Sequence, residues 1–571
     1  MWTQNYDPMG DWRLSTLVAA IPILVLLGLL ITGRAHAWQA ALAGLLTALI
    51  VAVGPFGMPA GLAVNAALLG GVFAVFRIVW LIIAAVFLYN VAVVTGQFEI
   101  MKGSIARLSP DRRLQAVLVA FCFGAFIEGA AGFGAPVAIS AAFLVGLGFQ
   151  PFQAALLCLI ANTAPVAWGS IGTPIKTLAA VTQLDVEVLS AMSGRILPPL
   201  SLIIPIWLVA TLAGVRATLP ILPALLVIGG TFASVQWAWS NYVGVDLVDL
   251  ASAVASLISG VLLLTVWQPK QIWRLPEDQE RGAGTPQPGG LGAGKVPPAE
   301  AELRAWSVAR AWMPFGLLSL VVLAWGLPAT KASLERVDAQ FGNKTPLAGL
   351  HGQVVKGAEV TGHTPFLEAD REDARLTLVP LSSTGTAVFL AAVLSGLLLG
   401  VSPVRLIRLL GVTVRQLAPA IATVLAMLAL GFVTRYSGTD AVLGLACTRT
   451  GALFYPIFGT LLGWLGVALT GSDTSSNVLF GNLQRITADK LGLSPILMAS
   501  ANTTGGVMGK MIDAQSIVVA AAATGEVGHE GRLLRAVLWH SLVLALMVGA
   551  VVWFYAHTTL GRSLVPALQN S

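Results

Sequence analysis

Five ionisable residues stand next to long uncharged stretches: Glu128, Lys176, Asp473, Lys510 and Asp513. Glu128 separates the charge-free runs Leu114–Ile127 and Gly129–Ile175, Asp473 separates Thr450–Ser472 from Thr474–Gln484, and Lys510 follows Leu491–Gly509. A charge at the centre of a membrane helix costs roughly 2.5–3.5 kcal/mol on insertion scales, so those that persist usually face a polar cavity. Gly129, Gly132 and Gly134 follow Glu128, and Gly505, Gly506 and Gly509 precede Lys510. Glycine lets backbone unwind or a second helix come close. Unwound backbone is tolerated at membrane depth only where it is buried or lines a cavity, and its freed N–H groups then suit an anion. Asn162, Thr163, Asn502, Thr503 and Thr504 add donors, and acceptors for a hydroxyl. The chemistry open to such a set is the binding of a small carboxylate. Lys510 is its point charge, Glu128 and Asp473 are carboxyls able to carry a proton, and Ser472 and Ser475 support the loop at Asp473. Blander roles compete: the glycines as packing motifs, Asp473 as a helix cap, Lys176 and Asp513 as helix-end residues that snorkel.

The elements that must position these residues are membrane helices. Of 571 residues, 56% are hydrophobic and 11% charged, against about 25% charged in soluble proteins. Leu14–Gly33, Ile78–Phe98, Ile196–Val215, Leu250–Pro269, Ala311–Thr330, Leu376–Val404, Gln416–Thr434, Thr450–Ser472 and Ala536–Gly561 contain no Asp, Glu, Lys or Arg. At roughly 20 residues per span, the chain is expected to make about 12–14 crossings. Continuous apolar runs exclude a transmembrane barrel, whose strands alternate apolar and polar residues. Leu14–Thr32 lacks a basic leader and is too long for a signal-peptide core, so it is read as the first span. Basic residues Arg34, Lys102, Arg107, Arg112 and Arg113 flank the neutral loop Gly54–Gly61, which by the positive-inside rule puts the N-terminus outside. That parity requires one crossing between Gly61 and Thr95, where Arg77 leaves room for two helices. The net charge of +6 fits basic loops of an inner-membrane protein and calls for no nucleic acid.

Two polar regions punctuate the chain. Gly282–Pro298 is Gly/Pro-rich, within a linker at 269–304 that is expected to be flexible. Lys331–Arg375 is a hydrophilic loop holding His351 and His363, with no companion ligands at metal spacing. They set apart an N-terminal membrane half, 1–268, and a C-terminal half, 305–571. The halves echo each other. Ala-Asn-Thr occurs at Ala161–Thr163 and at Ala501–Thr503, with Glu128 34 positions before Asn162 and Asp473 29 before Asn502. Paired, glycine-interrupted segments point to a transporter site made of discontinuous helices, with the halves related by inverted topology. Cys122, Cys158 and Cys447 read as buried apolar residues. HExxH, P-loop and GxSxG signatures are missing, so no enzyme, no ATP-driven pump, no cofactor and no metal is expected.

Longer segments resemble the lactate permease family along almost the whole chain: QNYDPMGDW (Gln4–Trp12), AVFLYNVAVVTGQFEI (Ala85–Ile100), FCFGAFIEGAAGFGAPVAI (Phe121–Ile139), NTAPVAWGSIGTP (Asn162–Pro174), FGTLLGWLGVALTGSDTSSN (Phe458–Asn477) and ANTTGGVMGKMIDAQSI (Ala501–Ile517). The resemblance implies an inner-membrane symporter taking up L-lactate, D-lactate or glycolate with protons. It also implies a place in a wider ion-transporter group with paired Ser-Asn-Thr signatures at hairpin tips. Both signatures here read Ala-Asn-Thr, which removes a hydroxyl from a sodium site of that kind and favours proton coupling. The rival readings are a sodium-coupled carboxylate or dicarboxylate transporter, for which Lys176 is the obvious second cation, and a channel or membrane-embedded enzyme.

Overall fold

In hydrocarbon every backbone polar group must be satisfied within its own segment, which leaves uncharged stretches of this kind only helices. The computed structural model describes residues 1–31, 35–106, 108–130, 135–275, 305–361, 370–526 and 529–567. Gly132, Gly134, His363 and the linker 282–298 lie outside the described residues. Among the described residues six helices are long and apolar enough to cross a membrane: Ala60–Val94, Arg112–Ala130, Val215–Tyr242, Val248–Val266, Pro403–Ser437 and Glu530–His557. Two broken pairs join them, Pro151–Ala161 with Val166–Thr182, bent by 66°, and Val186–Ile196 with Pro198–Ala213, bent by 44°. Six shorter apolar helices complete the membrane body among the described residues. The one sheet there is a two-residue parallel pair, Trp2–Thr3 with Val354–Val355. The protein is an all-α, multi-pass membrane protein.

Ala60–Val94 settles the ambiguity at Arg77. It is one continuous helix, widened to π geometry over Ala74–Val79. At 1.5 Å per residue its 35 residues span about 52 Å, well beyond a bilayer core of about 30 Å. The equally long Pro403–Ser437 helix packs along it so closely that a Cβ on Gly70 would lie 2.6 Å from the Leu428 carbonyl oxygen.

The hydrophilic loop is anchored rather than loose over its described parts. The Asp338 carboxylate accepts the Leu381 and Ser382 N–H groups. The Gln4 amide donates to the Arg435 and Tyr436 carbonyls, and Arg435 pairs with Glu372 at 2.5 Å. Residues 1–6, segments 344–361 and 370–375, and the C-terminal end of Pro403–Ser437 therefore share one face of the molecule. Arg405, Arg408 and Arg415 belong to the opposite end of that helix.

Candidate functional site

The first half contributes a carboxyl and a broken helix. Glu128 sits near the end of Arg112–Ala130, only 5% exposed. Pro151–Ala161 ends at Asn162, the chain turns through Val166–Trp168, and a new helix runs to Thr182. At the break Ser170, Ile171 and Gly172 all take left-handed φ angles of 48°, 57° and 74°. Such a conformation costs of order 1–3 kcal/mol for a residue bearing a side chain, and it persists only where surroundings enforce it. Here they do. The Lys176 ammonium donates to the freed Ile171 carbonyl at 2.9 Å and pairs with Asp246, while the Thr173 hydroxyl donates to the Ser170 carbonyl at 2.7 Å. Gly169 has no Cβ for a reason: one would lie 2.5 Å from Glu128 Oε1.

The second half contributes a carboxyl, an ammonium and a polar network. Tyr455–Thr470 stops at Gly471, in the left-handed region, and Asp473–Leu491 begins at once. Its cap is Ser472, whose Oγ accepts the Ser475 N–H, so Asp473 is free to face inward, 3% exposed. Thr503 donates its hydroxyl to Asp473 Oδ2. Asn477 donates to Thr503 Oγ1 at 3.1 Å and, across to the first half, to the Pro174 carbonyl at 3.2 Å. Asn502 donates to Asn477 Oδ1 at 2.9 Å, and Gln484 and Tyr455 extend the chain. Lys510 donates to the Gly471 carbonyl at 2.6 Å and lies 3.1 Å from Asp513, itself the cap of Ala514–Thr524.

These parts line a cavity of about 80 Å³, bounded by Glu128, Ser170, Thr173, Asp473, Thr474 and Lys510 with the backbone turns at Gly169 and Gly471–Ser472. Three buried lining atoms, Glu128 Oε2, Ser170 Oγ and Asp473 Oδ1, have no hydrogen-bond partner among the described residues. Buried polar atoms are rarely left so, and each orphan asks for a ligand or water to satisfy it. With an ammonium and the N-terminus of Asp473–Leu491 beside two carboxyls, the cavity can hold a small anion and exchange a proton with it. Among the described residues no three His, Cys, Asp or Glu side chains come together as a metal site.

Glu128, Asp473, Lys510 and Ser472 thus meet in one place. The other sequence candidates stand around it. The Asn162 carboxamide neighbours Glu128, with both polar atoms unpartnered among the described residues. Asn502 and Thr503 back Asp473. Thr163 and Thr504 turn their hydroxyls onto the Ile160 and Ser500 carbonyls of their own helices. Gly505 lets Pro495–Gly509 approach Tyr455–Thr470, where a Cβ would lie 2.2 Å from the Thr460 carbonyl, and Gly506 leaves room for Asp473 Oδ1. Gly129 makes room for Asp249 and Leu250. Sequence reasoning missed Asp249, which is 1% exposed with neither carboxyl oxygen hydrogen-bonded among the described residues. It also missed Ser170, Thr173 and Asn477. The signal for Asp249 was its place at the very start of the charge-free run from Leu250, the same edge position that marked Glu128 and Asp473.

The chain matches the family model described as L-lactate permease over residues 15–559. It is 43% identical to the glycolate permease GlcA of Escherichia coli (strain K12), over 98% of this chain and 99% of that one. It is equally identical to an L-lactate permease of Salmonella typhi, over 98% of each chain, and to one of Bacillus subtilis (strain 168), over 97% of this chain and 98% of that one. Matches of this length and identity leave one conclusion: the chain belongs to the L-lactate permease family.

Proposed function

We propose that the protein imports L-lactate, and with it D-lactate and glycolate, across the bacterial inner membrane by proton symport with alternating access. The names of its relatives support lactate and glycolate as the substrate class. The observation that carries the mechanism is the convergence of Glu128, Asp473 and Lys510, from both halves, on one cavity with orphaned buried polar atoms. Lys510 and the helix end at Asp473 hold the carboxylate. Ser170 and Thr173 are added to Asn162, Thr163, Asn502, Thr503 and Thr504 as the groups that bind or back the carboxylate and the 2-hydroxyl. Gly505 and Gly506 keep the second-half helices close. Glu128 and Asp473 carry the proton, with Asp249 as a third carboxyl beside Glu128. Alternating access moves one helix bundle against the other about the cavity. Sodium coupling is the lesser reading, because both tripeptides lack the serine of the sodium signature, and a dicarboxylate would find Lys176 already paired with Asp246.

The test is labelled L-lactate uptake into proteoliposomes under an imposed pH gradient, without sodium. Transient accumulation above equilibrium, abolished by a protonophore, is expected. Uptake that requires sodium, or that is seen only with another acid, refutes the coupling or the substrate.

A further inference from the structure

A second polar cavity, of about 140 Å³, lies further along two helices that begin at the first one. Gly169–Thr182 and Asp473–Leu491 pack side by side and start together at the Glu128 cavity. Their later residues, Thr182 on one and Asn482 and Arg485 on the other, line the second cavity. The axial distance from Pro174 to Thr182, or from Thr474 to Asn482, is about 12 Å at 1.5 Å per residue. An apolar layer fills the gap. Leu178 Cδ1 lies 2.6 Å, and Val181 Cγ2 3.2 Å, from where a Gly481 Cβ would be, and Val478 packs against Gly431 in the same layer. The two cavities are thus separated by a thin side-chain barrier along one helix pair.

The roof of the second cavity comes from the anchored polar segments, Gln4 and Tyr6 on one side and Lys356 and Glu372 on the other. The Tyr6 hydroxyl donates to Gln4 Oε1 at 2.6 Å and accepts the Gly357 N–H at 3.2 Å. The charges inside are unequal. Lys356, Arg435 and Arg485 line it against Glu372 and Asp440. Glu372 serves both Arg435 and Lys356, at 2.5 and 3.6 Å. The Asp440 carboxylate is occupied by the Asn482 amide and the Ala441 N–H. Arg485 also bonds Asn482, at 2.9 Å, and its own acid, Asp489 at 3.2 Å, is half exposed and outside the lining. One positive charge in the cavity is therefore balanced only from outside it. A confined chamber with one surplus cation raises the local concentration of small anions.

We propose that this roofed cavity is an entry vestibule, in which Arg485 receives the carboxylate of a small organic acid before it passes the Leu178–Val181–Val478 layer. The inference rests on the transport reading above and adds a station to it. By the positive-inside rule, the face with residues 1–6 is the outer one, since Arg405, Arg408 and Arg415 lie at the other end of Pro403–Ser437.

The experiment uses the full chain in right-side-out and inside-out membrane vesicles and reads labelled L-lactate exchange, KM and maximal rate, from each face. If the wild-type protein exchanges lactate from neither face, the transport reading itself fails, before any variant is considered. Given wild-type exchange, Arg485→Gln raises KM about threefold for lactate offered at the outer face, the worth of one cation some 6 Å away in a water-like dielectric. Its maximal rate and its KM at the inner face stay as in wild type, Arg485→Lys keeps the wild-type KM, and added salt narrows the difference. Asp489→Asn, which frees Arg485 of its competing acid, lowers the outer KM. An unchanged outer KM in both variants overturns the proposal. So does an equal KM shift at both faces, or a loss of maximal rate alone, which would mark Arg485 as a structural residue.

Discussion

Consider Gly463→Ala, a change of one methyl group. Gly463 lies on Tyr455–Thr470, and a Cβ there would sit 2.1 Å from the backbone carbonyl oxygen of Asn502 on Pro495–Gly509. That is about 1.3 Å short of ordinary van der Waals contact. The obstacle is backbone, so no side chain can swing aside, and the two helices must part. The helix that moves carries Asn502 and Thr503, hence the hydrogen bonds to Asn477 and Asp473. Overpacking of this kind costs about 1–3 kcal/mol in stability. A 1 Å displacement of positioning groups costs on the order of 100-fold in rate. Gly71→Ala is the matched control, because nothing lies within 4 Å of its added Cβ. That variant should gain helix propensity, about 1 kcal/mol at most, and lose no function. Initial rates of labelled lactate exchange in proteoliposomes, with melting in detergent, report both effects. Wild-type exchange and melting for Gly463→Ala would refute the reasoning, because the close approach would then have slack that the geometry denies.

Glu128→Gln is expected to keep lactate exchange while weakening accumulation driven by a pH gradient, and equal loss of both activities sinks the proton role. Asp249→Asn should behave in the same way, and unimpaired accumulation would make Asp249 a bystander. Glu372 governs the docking of the polar roof. Its burial alone would raise its pKa, but the cations Arg435 and Lys356 outweigh burial and hold it below the usual carboxylate range. Its ion pairs therefore contribute in full above the unfolded value near 4.3, and the contribution is lost only as pH falls through the lower folded value. Amide hydrogen exchange of 344–361 and 370–375 should stay protected from pH 7 to pH 5 and open below about 4. Opening already at pH 6 contradicts this. Glu372→Gln, leaving Arg435 unpaired, should release the same segment at neutral pH at a cost of roughly 3–5 kcal/mol.

The helical, membrane-embedded character was legible from charge-free runs alone, because removal of backbone from water leaves few options. Glu128, Asp473 and Lys510 were legible for a related reason: an ionisable group at the edge of an uncharged run has to find a polar neighbour. What the sequence could not convey was direction. Thr163 and Thr504 have the same chemistry as Thr503, yet their hydroxyls turn back onto their own helices while Thr503 reaches Asp473. Glycine was ambiguous in the same way. Gly169 admits a carboxyl, and Gly505 admits a helix. Lys176 looked like a second cation for substrate because its partner, Asp246, lies 70 positions away in sequence. The left-handed run at Ser170–Gly172 carried no local signal at Ser170 or Ile171, since only the surrounding contacts hold those residues there.

The hydrogen bond from Asn477 to the Pro174 carbonyl joins residues from the two sides of segment 276–304. A gene split within that segment would yield two polypeptides, each with half of a cavity wall and one unanswered polar group. Neither piece would be a smaller carrier with its own weaker affinity. Activity would return only when both are made together in one membrane, so lesions in either piece would score as loss of the whole, and the halves could diverge only in step.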